Sequence, residues 1–413
     1  MVNLTIEQDV IRPPQPPGPI KWIKENLFSS IFNTVLTILL VPIICYLLYG
    51  IFRWMFFAAD WTAVTQFPLL YAVGQYPRDQ IWRVGIILSG LFLFLGMSWG
   101  RWGGLLKTIS LAAGLIQLIM ALLPVQHPAL DMSMRFFLGS NLLVILLGFL
   151  IGSRTPIKNT YIIIGWFIVP VFGIVLLAGF NVSKYIPIWI SDLIPSVSTT
   201  LWGGLLITFL LAAGGILLSF PLGIALAFGR RSSLPFVSAF STVFIETIRG
   251  VPLVTILFMF SFVMALFLPV ESRIDRLVRA LMAVTVFSAA YTAENVRGGL
   301  QSVPLGQIEA AKAIGMGNFK TTIFIVLPQA LRAVLPSIVG QFISLFKDTT
   351  LVVIIGINDF LGIGRSIINS DPEFVQMRTE VYIFMAIVYW IFSYLMSLAS
   401  RRIEDTLGVS SNL

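Results

Sequence analysis

The sequence predicts an all-α protein that crosses a membrane about ten times. Of its 413 residues, 57% are hydrophobic and 11% are charged, and the mean hydropathy is +0.92. This is more apolar material than the interior of a water-soluble protein of this length can bury. Apolar runs also recur at lengths near the ~20 residues that a helix needs to cross the bilayer core. We therefore expect a polytopic membrane protein.

Ten segments meet or approach that length. They cover residues 31–57, 84–97, 105–123, 136–151, 161–180, 201–228, 251–268, 277–296, 333–355 and 381–400. The second and fourth segments are short. Either they are tilted partners in a hairpin, or their ends are misplaced by a few residues.

Basic residues predict the orientation of these spans. If the N-terminus lies inside, five cytoplasmic positions carry basic pairs, namely Lys21 and Lys24, Arg101 and Lys107, Arg154 and Lys158, Arg230 and Arg231, and Arg401 and Arg402. Such an excess is typical of cytoplasmic ends. The opposite side is expected to carry Arg273, Arg276 and Arg279, interleaved with Glu271 and Asp275. The net charge of +8 therefore indicates membrane orientation and not binding to nucleic acid.

The chain divides by composition into five parts. Residues 1–30 form a proline-rich tail without the apolar region of a cleavable signal, and we expect this tail to be cytoplasmic. Residues 31–180 hold about five accessory spans, 181–200 form a turn-rich periplasmic linker, 201–402 form a second membrane part, and 403–413 form a cytoplasmic tail. A single cysteine, Cys45, and a single histidine, His127, predict neither a disulfide framework nor a metal site. Cys45 is expected to pack among apolar side chains.

Charged residues at or near membrane depth occur in the second membrane part. They are Glu246, Arg249, Glu294, Arg297, Lys347 and Asp348. Ionised side chains are costly in hydrocarbon, so functional chemistry is expected from about residue 201 onward. The glycine pairs at 203–204 and 214–215 on the sixth span have a simpler interpretation, because small residues let helices approach closely.

A polar, regular stretch at residues 304–328 separates the eighth and ninth spans. Pro304 suits the first turn of a helix, Ala310 and Ala311 favour helix formation, and Gly315 can end the helix in a left-handed conformation. These residues predict a short cytoplasmic helix held between two spans. Such an element can dock in a groove of another protein and transmit a rigid-body push.

This stretch resembles the EAA loop of ABC importer permeases. The match comprises Glu309-Ala310-Ala311, Gly315 and Ile325, and then Leu327-Pro328. The resemblance covers residues 201–402 and narrows to the polar amino acid permeases through four further stretches, at 220–223, 245–252, 291–299 and 346–351. The long N-terminal half and the sequence at 326–332 are most similar to the broad-specificity general L-amino acid permease subunits.

The resemblance implies a five-span type I importer core that uses Glu309, Ala310, Ala311, Gly315, Leu327 and Pro328 to couple to an ATPase. It also implies partners: two copies of a cytoplasmic ATPase, a second homologous permease subunit and a periplasmic amino acid-binding protein, with lipid around the spans. The chain itself holds no glycine-rich phosphate loop. No enzyme activity and no cofactor are therefore expected in this subunit, and ATP and magnesium are expected on the partner ATPase.

Two interpretations of the buried charges stay open. In one, Glu294 and Asn295 receive the ammonium group of an amino acid while Lys347 and Thr349 meet its carboxylate. In the other, Glu246, Arg249, Glu294 and Arg297 pair with one another at helix ends, and Asp348 neutralises Lys347. An ion-coupled secondary transporter is the alternative function, and such a protein has no need of the docking helix.

Overall fold

The computed structural model describes residues 18–122, 131–180, 194–269 and 274–407. In these ranges the chain is helical, with three isolated β-bridges and no strand. The predicted all-α fold is confirmed. The proline-rich stretch before residue 18, His127, residues 181–193 of the linker, Glu271, Arg273 and the tail after residue 407 lie outside the described residues.

The helices are numbered here in chain order. They are α1 (Pro19–Leu27), α2 (Ile31–Arg53), α3 (Thr62–Thr65), α4 (Pro68–Val73), α5 (Trp82–Trp102), α6 (Gly104–Leu122), α7 (Met132–Arg154), α8 (Asn159–Ala178), α9 (Gly204–Arg230), α10 (Pro235–Arg249), α11 (Leu253–Phe258), α12 (Met264–Phe267), α13 (Arg276–Ser302), α14 (Leu305–Ala313), α15 (Asn318–Thr321), α16 (Leu327–Asp348), α17 (Phe360–Ile368), α18 (Pro372–Gln376) and α19 (Arg378–Leu407). Short π-helical turns join α11 to α12 and α15 to α16, and a 3-10 segment, Thr349–Ile355, follows α16.

Compact packing divides the chain into two units, with the boundary after Trp61. The first unit contains α1 and α2. Ser30 caps α2 by accepting a hydrogen bond from the Asn33 amide at 3.1 Å, and the helix continues as a π-helical turn to Ala58. Its side chains are exposed almost all round, which suits a helix that contacts lipid. Cys45 lies on this exposed surface, so its expected packing among apolar side chains is not seen within the described chain.

Nine helical segments of the described chain are long and apolar enough to span a bilayer, and a bent pair makes a tenth. The predicted number of about ten spans is confirmed. The second and fourth spans are longer than their apolar runs, because α5 and α7 extend into polar and aromatic residues at both ends. These two helices pack against each other, but they do not form a hairpin, since α6 lies between them in the chain.

The seventh predicted span, 251–268, differs most from the structure. The segment is helical only from Leu253 to Phe267, and it follows α10 at an angle of 108°. Pro252 explains the break, because proline lacks an amide donor and disfavours helical geometry in the residue before it. The sequence-based assignment missed α10, since Glu246 and Arg249 lower its hydropathy.

Glycines bring α5 and α7 into backbone contact. A Cβ atom added to Gly96 would lie 2.1 Å from the Ile145 carbonyl oxygen, and one added to Gly148 would lie 2.2 Å from the Leu93 oxygen. Gly100 and Gly152 repeat the pattern one turn further on. Each helix thus carries two glycines spaced by four, the arrangement that permits close helix approach in membranes.

The chain between Thr62 and Tyr76 packs against the C-terminal part of the second unit. The Gly203 amide donates to the Val73 carbonyl at 3.2 Å, and the Tyr71 ring meets those of Phe360 and Phe384 at centroid distances of 5.8 and 5.1 Å. This short segment, absent from the predicted core of 201–402, is therefore part of the same packed body.

Helix α13 is the central helix of the C-terminal part. Its 27 residues include a long buried face of small side chains, and α9, α10 and α16 pack around it. Gly215 of α9 lies against Val284, and Gly223 lies against Thr292. The predicted packing role of the 214–215 glycine pair agrees with these contacts. At 1.5 Å per residue, α13 is about 40 Å long and spans the full thickness of a bilayer.

Candidate functional site

The short helix predicted between the eighth and ninth spans is α14. Pro304 precedes its first turn, and Gly315 ends it with φ +81°. The Gly315 amide donates to the Lys312 carbonyl at 2.9 Å, and the Met316 amide donates to the Ala311 carbonyl at 3.0 Å. This pair of bonds is a Schellman cap, which needs a residue without a Cβ in the left-handed position.

One face of α14 is anchored and the other is exposed. Ala311 is 4% exposed, and Ile308 packs against a buried apolar cluster that contains Val303 and Val326. Glu309 and Ala310 face solvent. The helix therefore presents a small, flat surface while its inner face fixes it to the spans on both sides.

Three large apolar side chains extend this exposed surface. Leu305, Ile314 and Phe319 are 74%, 78% and 77% exposed. Leu305 and Ile314 lie outside the helices that are long and apolar enough to cross a membrane, and Phe319 lies at the very start of one of them, Asn318–Ile355. An exposed apolar patch of this kind indicates a surface that binds another protein. The sequence-based analysis missed these residues, although large apolar side chains in an otherwise polar stretch are a visible signal.

The second part of the motif is not a loop. The chain becomes helical again at Asn318 and continues through a π-helical turn, Thr322–Val326, into α16. Leu327 is half-buried at the start of α16, and Pro328 is exposed beside it. The predicted coupling loop of 304–328 is thus one short helix, a tight turn and the beginning of the next span.

Five charged side chains form a network where α9, α10 and α13 meet. Arg230 Nη1 lies 2.8 Å from Glu246 Oε1 and 3.3 Å from Glu294 Oε2, and Arg249 Nη1 lies 3.7 Å from Glu294 Oε2. Arg297 Nε donates to Glu294 at 2.9 Å. The pairing expected by the structural interpretation is present, with Arg230 as an additional member. Three arginines and two glutamates leave this network with a net positive charge.

Asn295 is half-buried and bonds to the facing helix α16. Its Nδ2 donates to Gln341 Oε1 at 2.8 Å, and Gln341 Nε2 donates to the Ser288 carbonyl at 2.7 Å and to Thr292 Oγ1 at 3.1 Å. These bonds join α13 to α16 through a polar seam. Such amide and hydroxyl contacts are typical of helix association inside membranes. The part of Asn295 in substrate binding stays a prediction.

The predicted carboxylate partners, Lys347 and Thr349, differ in burial. Thr349 is buried, and its Oγ1 donates to the Phe346 carbonyl at 2.8 Å, whereas the neighbouring Lys347 is exposed. No ion pair joins Lys347 to the half-buried Asp348 in the described part of the chain. The neutralisation of Lys347 by Asp348 and the substrate roles of Lys347 and Thr349 therefore stay predictions.

One buried acid was missed by the sequence-based analysis. Asp359, which is fully buried, caps α17 by accepting from the Gly362 amide at 2.8 Å, and it also accepts from the Tyr389 hydroxyl at 3.0 Å. Burial raises the pKa of the Asp359 carboxyl, and these hydrogen bonds partly offset that rise. An aspartate directly before an apolar run is a helix-start signal that was available in the sequence.

Metal binding has no support among the described residues, where no group of three histidine, cysteine, aspartate or glutamate side chains lies close enough to hold an ion.

Comparison with known proteins places the segment that contains α14 in a family of transport proteins. Residues 219–408 match the family described as "Binding-protein-dependent transport system inner membrane component". The chain is 34% identical to the inner membrane amino-acid ABC transporter permease protein YhdY of Escherichia coli (strain K12), over 93% of this chain and 91% of that protein. It is 32% identical to the glutamate/glutamine/aspartate/asparagine transport system permease protein BztC of Rhodobacter capsulatus, over 94% of each.

A shorter relative matches half of the chain. The probable glutamine ABC transporter permease protein GlnP of Bacillus subtilis is 37% identical over 49% of this chain and 92% of its own length. The full-length matches therefore include the N-terminal half, and that half is absent from the shorter protein. ABC transporters are driven by ATPase partners, and their permease subunits are not catalytic enzymes. The chain belongs to the ABC transporter permeases, as a multi-pass inner-membrane component of a binding-protein-dependent transport system.

Proposed function

We propose that this permease moves amino acids into the cell by alternating access. Two copies of a cytoplasmic ATPase bind ATP and magnesium and drive it, a second homologous permease subunit completes the path, and a periplasmic binding protein delivers the substrate. The observation that carries this proposal is α14, which is anchored by Ala311 and Ile308 while Glu309 and Ala310 face solvent.

Alternating access needs a rigid connection from the ATPase to the spans. Helix α14 supplies one, because its buried face contacts the apolar cluster at the inner ends of α9, α13 and α16. A movement imposed on the exposed face is therefore passed to three spans together. We propose that the Arg230–Glu246–Glu294 network fastens α9, α10 and α13 at this end, so that they move as one body.

Amino acids are the substrate class that the relatives favour. The names of the YhdY and BztC proteins both state amino acid transport, and each aligns with more than nine-tenths of this chain. The two names differ in how narrowly they state the amino acids, so the substrate is proposed here at the level of the class.

Reconstituted uptake tests this proposal. The permease is placed in vesicles with its ATPase, second permease and binding protein, and uptake of radiolabelled L-glutamine and L-glutamate is followed with internal or external ATP. We expect concentrative uptake that needs both the ATPase and hydrolysable ATP. Uptake by the permease alone, driven by a proton or sodium gradient, would instead support the secondary transporter.

A further inference from the structure

A cavity lies at the end of α13 that is remote from the coupling helix. Its volume is about 360 Å³, and its lining includes Ser261, Phe262, Arg276, Arg279 and Ile355. The length of α13, about 40 Å, places this end on the outer side of the membrane when α14 lies in the cytoplasm.

Irregular backbone surrounds this cavity. The π-helical turn Met259–Val263 forms one wall, and the 3-10 segment Thr349–Ile355 reaches another. Backbone of this kind is tolerated at membrane depth only where it is buried in protein or lines a water-filled space. Interrupted spans also mark the substrate sites of many transporters. This geometry favours a solute path over a lipid contact.

Arg279 bonds to the π-helical turn and has a further hydrogen-bond donor without a partner. Its Nη1 donates to the Ser261 carbonyl, while its Nε is buried without a partner. Ser261 is 4% exposed, and its Oγ is also buried without a partner. An unpaired buried polar group is costly, so a ligand that accepts from these atoms would be bound favourably.

The described lining of the cavity is electropositive, with Arg276 and Arg279 as its charged residues. Arg276 Nη1 donates to the Gly356 carbonyl at 3.3 Å, and among the described residues neither Arg276 nor Arg279 forms an ion pair with a carboxylate. The nearby Asp275 is engaged elsewhere, since it accepts from the Leu277 amide at 2.7 Å and from Thr199 Oγ1 at 2.6 Å. None of the described residues that line the cavity is acidic.

We propose that this cavity is an outer receiving site for the carboxylate of the incoming amino acid, with Arg279, Arg276 and Ser261 as its donors. This inference rests on the proposed function. The volume of the cavity suits a small molecule, and guanidinium groups pair with carboxylates through strong charge-assisted hydrogen bonds. This receiving site also differs from the sequence-based prediction, in which Lys347 and Thr349 meet the carboxylate.

The test uses the reconstituted transporter with saturating binding protein loaded with L-glutamine or L-glutamate. The variants are Arg276→Gln, Ser261→Ala and Arg279→Lys, and the last keeps the positive charge that serves the Ser261 carbonyl. Arg365→Gln is the matched control, because Arg365 is an exposed arginine of α17 that does not line the cavity. Co-purification with the ATPase confirms assembly of each variant.

We expect the maximal uptake rate of Arg276→Gln and Arg279→Lys to fall about tenfold for both amino acids, the size of one charge-assisted hydrogen bond. The maximal uptake rate of Ser261→Ala should fall several-fold, and that of Arg365→Gln should match the wild type. The concentration of loaded binding protein that gives half-maximal uptake should not change. If Arg279→Lys fails to assemble, Arg276→Gln and Ser261→Ala decide the result.

Three results would overturn the inference. Unchanged maximal rates would show that the cavity does not receive substrate. A higher half-maximal concentration of binding protein at an unchanged maximal rate would make the arginines a docking surface for that protein. An equal loss by the wild type in vesicles of phosphatidylcholine without phosphatidylglycerol would identify a lipid headgroup as the anion. Absence of ATP-dependent uptake by the wild type in any vesicle would instead refute the proposed function itself.

Discussion

Arg230 and Glu294 lie on different helices, α9 and α13, and their charged atoms are 3.3 Å apart near the coupling end of the spans. Less than a quarter of each side chain is exposed. We expect Arg230→Gln and Glu294→Gln each to lower the free energy of unfolding by about 1 kcal/mol, with a coupling energy of about 0.5–1 kcal/mol in the double variant. Thermal unfolding in detergent measures this, with exposed Glu373→Gln as the control. Additive effects would show that the two residues act independently.

The Asp359–Tyr389 contact predicts a pH-dependent stability. Burial raises the pKa of Asp359 above its value in the unfolded chain, which is about 3.9. The folded protein therefore holds this proton more tightly, so the stabilisation is present below about pH 4 and is lost as the pH rises through the folded pKa. We expect the thermal midpoint of the wild type to fall as the pH is raised from about 4 to about 7. The midpoint of Asp359→Asn should fall less over the same range.

Asp359→Ala gives the complementary result. Asparagine can still accept from the Gly362 amide and the Tyr389 hydroxyl, whereas alanine leaves both donors without a partner. We expect Asp359→Ala to cost about 1–3 kcal/mol of stability at every pH. Equal stability of the alanine and asparagine variants would contradict the role of these hydrogen bonds.

The glycine contact between α5 and α7 predicts a steric effect. Gly148→Ala places a Cβ atom 2.2 Å from the Leu93 carbonyl oxygen, and a backbone atom cannot move aside by itself. We expect a loss of about 1–3 kcal/mol in thermal unfolding. Gly139→Ala on the same helix is the matched control, because no atom lies within 4 Å of its added Cβ. That control should be neutral or gain up to about 1 kcal/mol.

Tyr71 tests the attachment of residues 62–76 to the C-terminal part. It is buried against Phe360 and Phe384, and its hydroxyl lies 3.5 Å from the Ala63 carbonyl, a long hydrogen bond. Tyr71→Ala should therefore cost about 3 kcal/mol or more, while Tyr71→Phe should cost well under 1 kcal/mol. Similar unfolding temperatures for both variants would mean that this ring does not fasten the segment.

Apolar length and helix signals were sufficient to predict most of the fold. They identified nine spans and α14, whose Gly315 cap has the geometry that its sequence predicts. They failed at α10 and α11, where charged residues and Pro252 divide one membrane element into two helices. Hydropathy windows report average composition, and this average does not reveal a bend of 108° between two helices.

The site was predicted in part. The Glu246, Arg249, Glu294 and Arg297 set was found because charge is rare at membrane depth, but Arg230 was assigned only to membrane orientation. Tyr389 lies 30 positions after Asp359, and no local pattern relates the two. The same is true of Arg279 and the Ser261 carbonyl, since contacts between separate helices depend on their packing.

Attachment of the ATPase to α14 is the central claim. Ala310 is exposed on the flat face, so Ala310→Arg adds bulk and charge to the docking surface without changing a buried contact. Gln301→Arg is the matched control, as Gln301 is exposed near the end of α13 on the same side. The measurement is the amount of ATPase that co-purifies with each variant from cells that produce the whole transporter. We expect a loss of about tenfold or more for Ala310→Arg, the effect of a disrupted interface centre, and none for Gln301→Arg. Full retention of the ATPase by Ala310→Arg would contradict it.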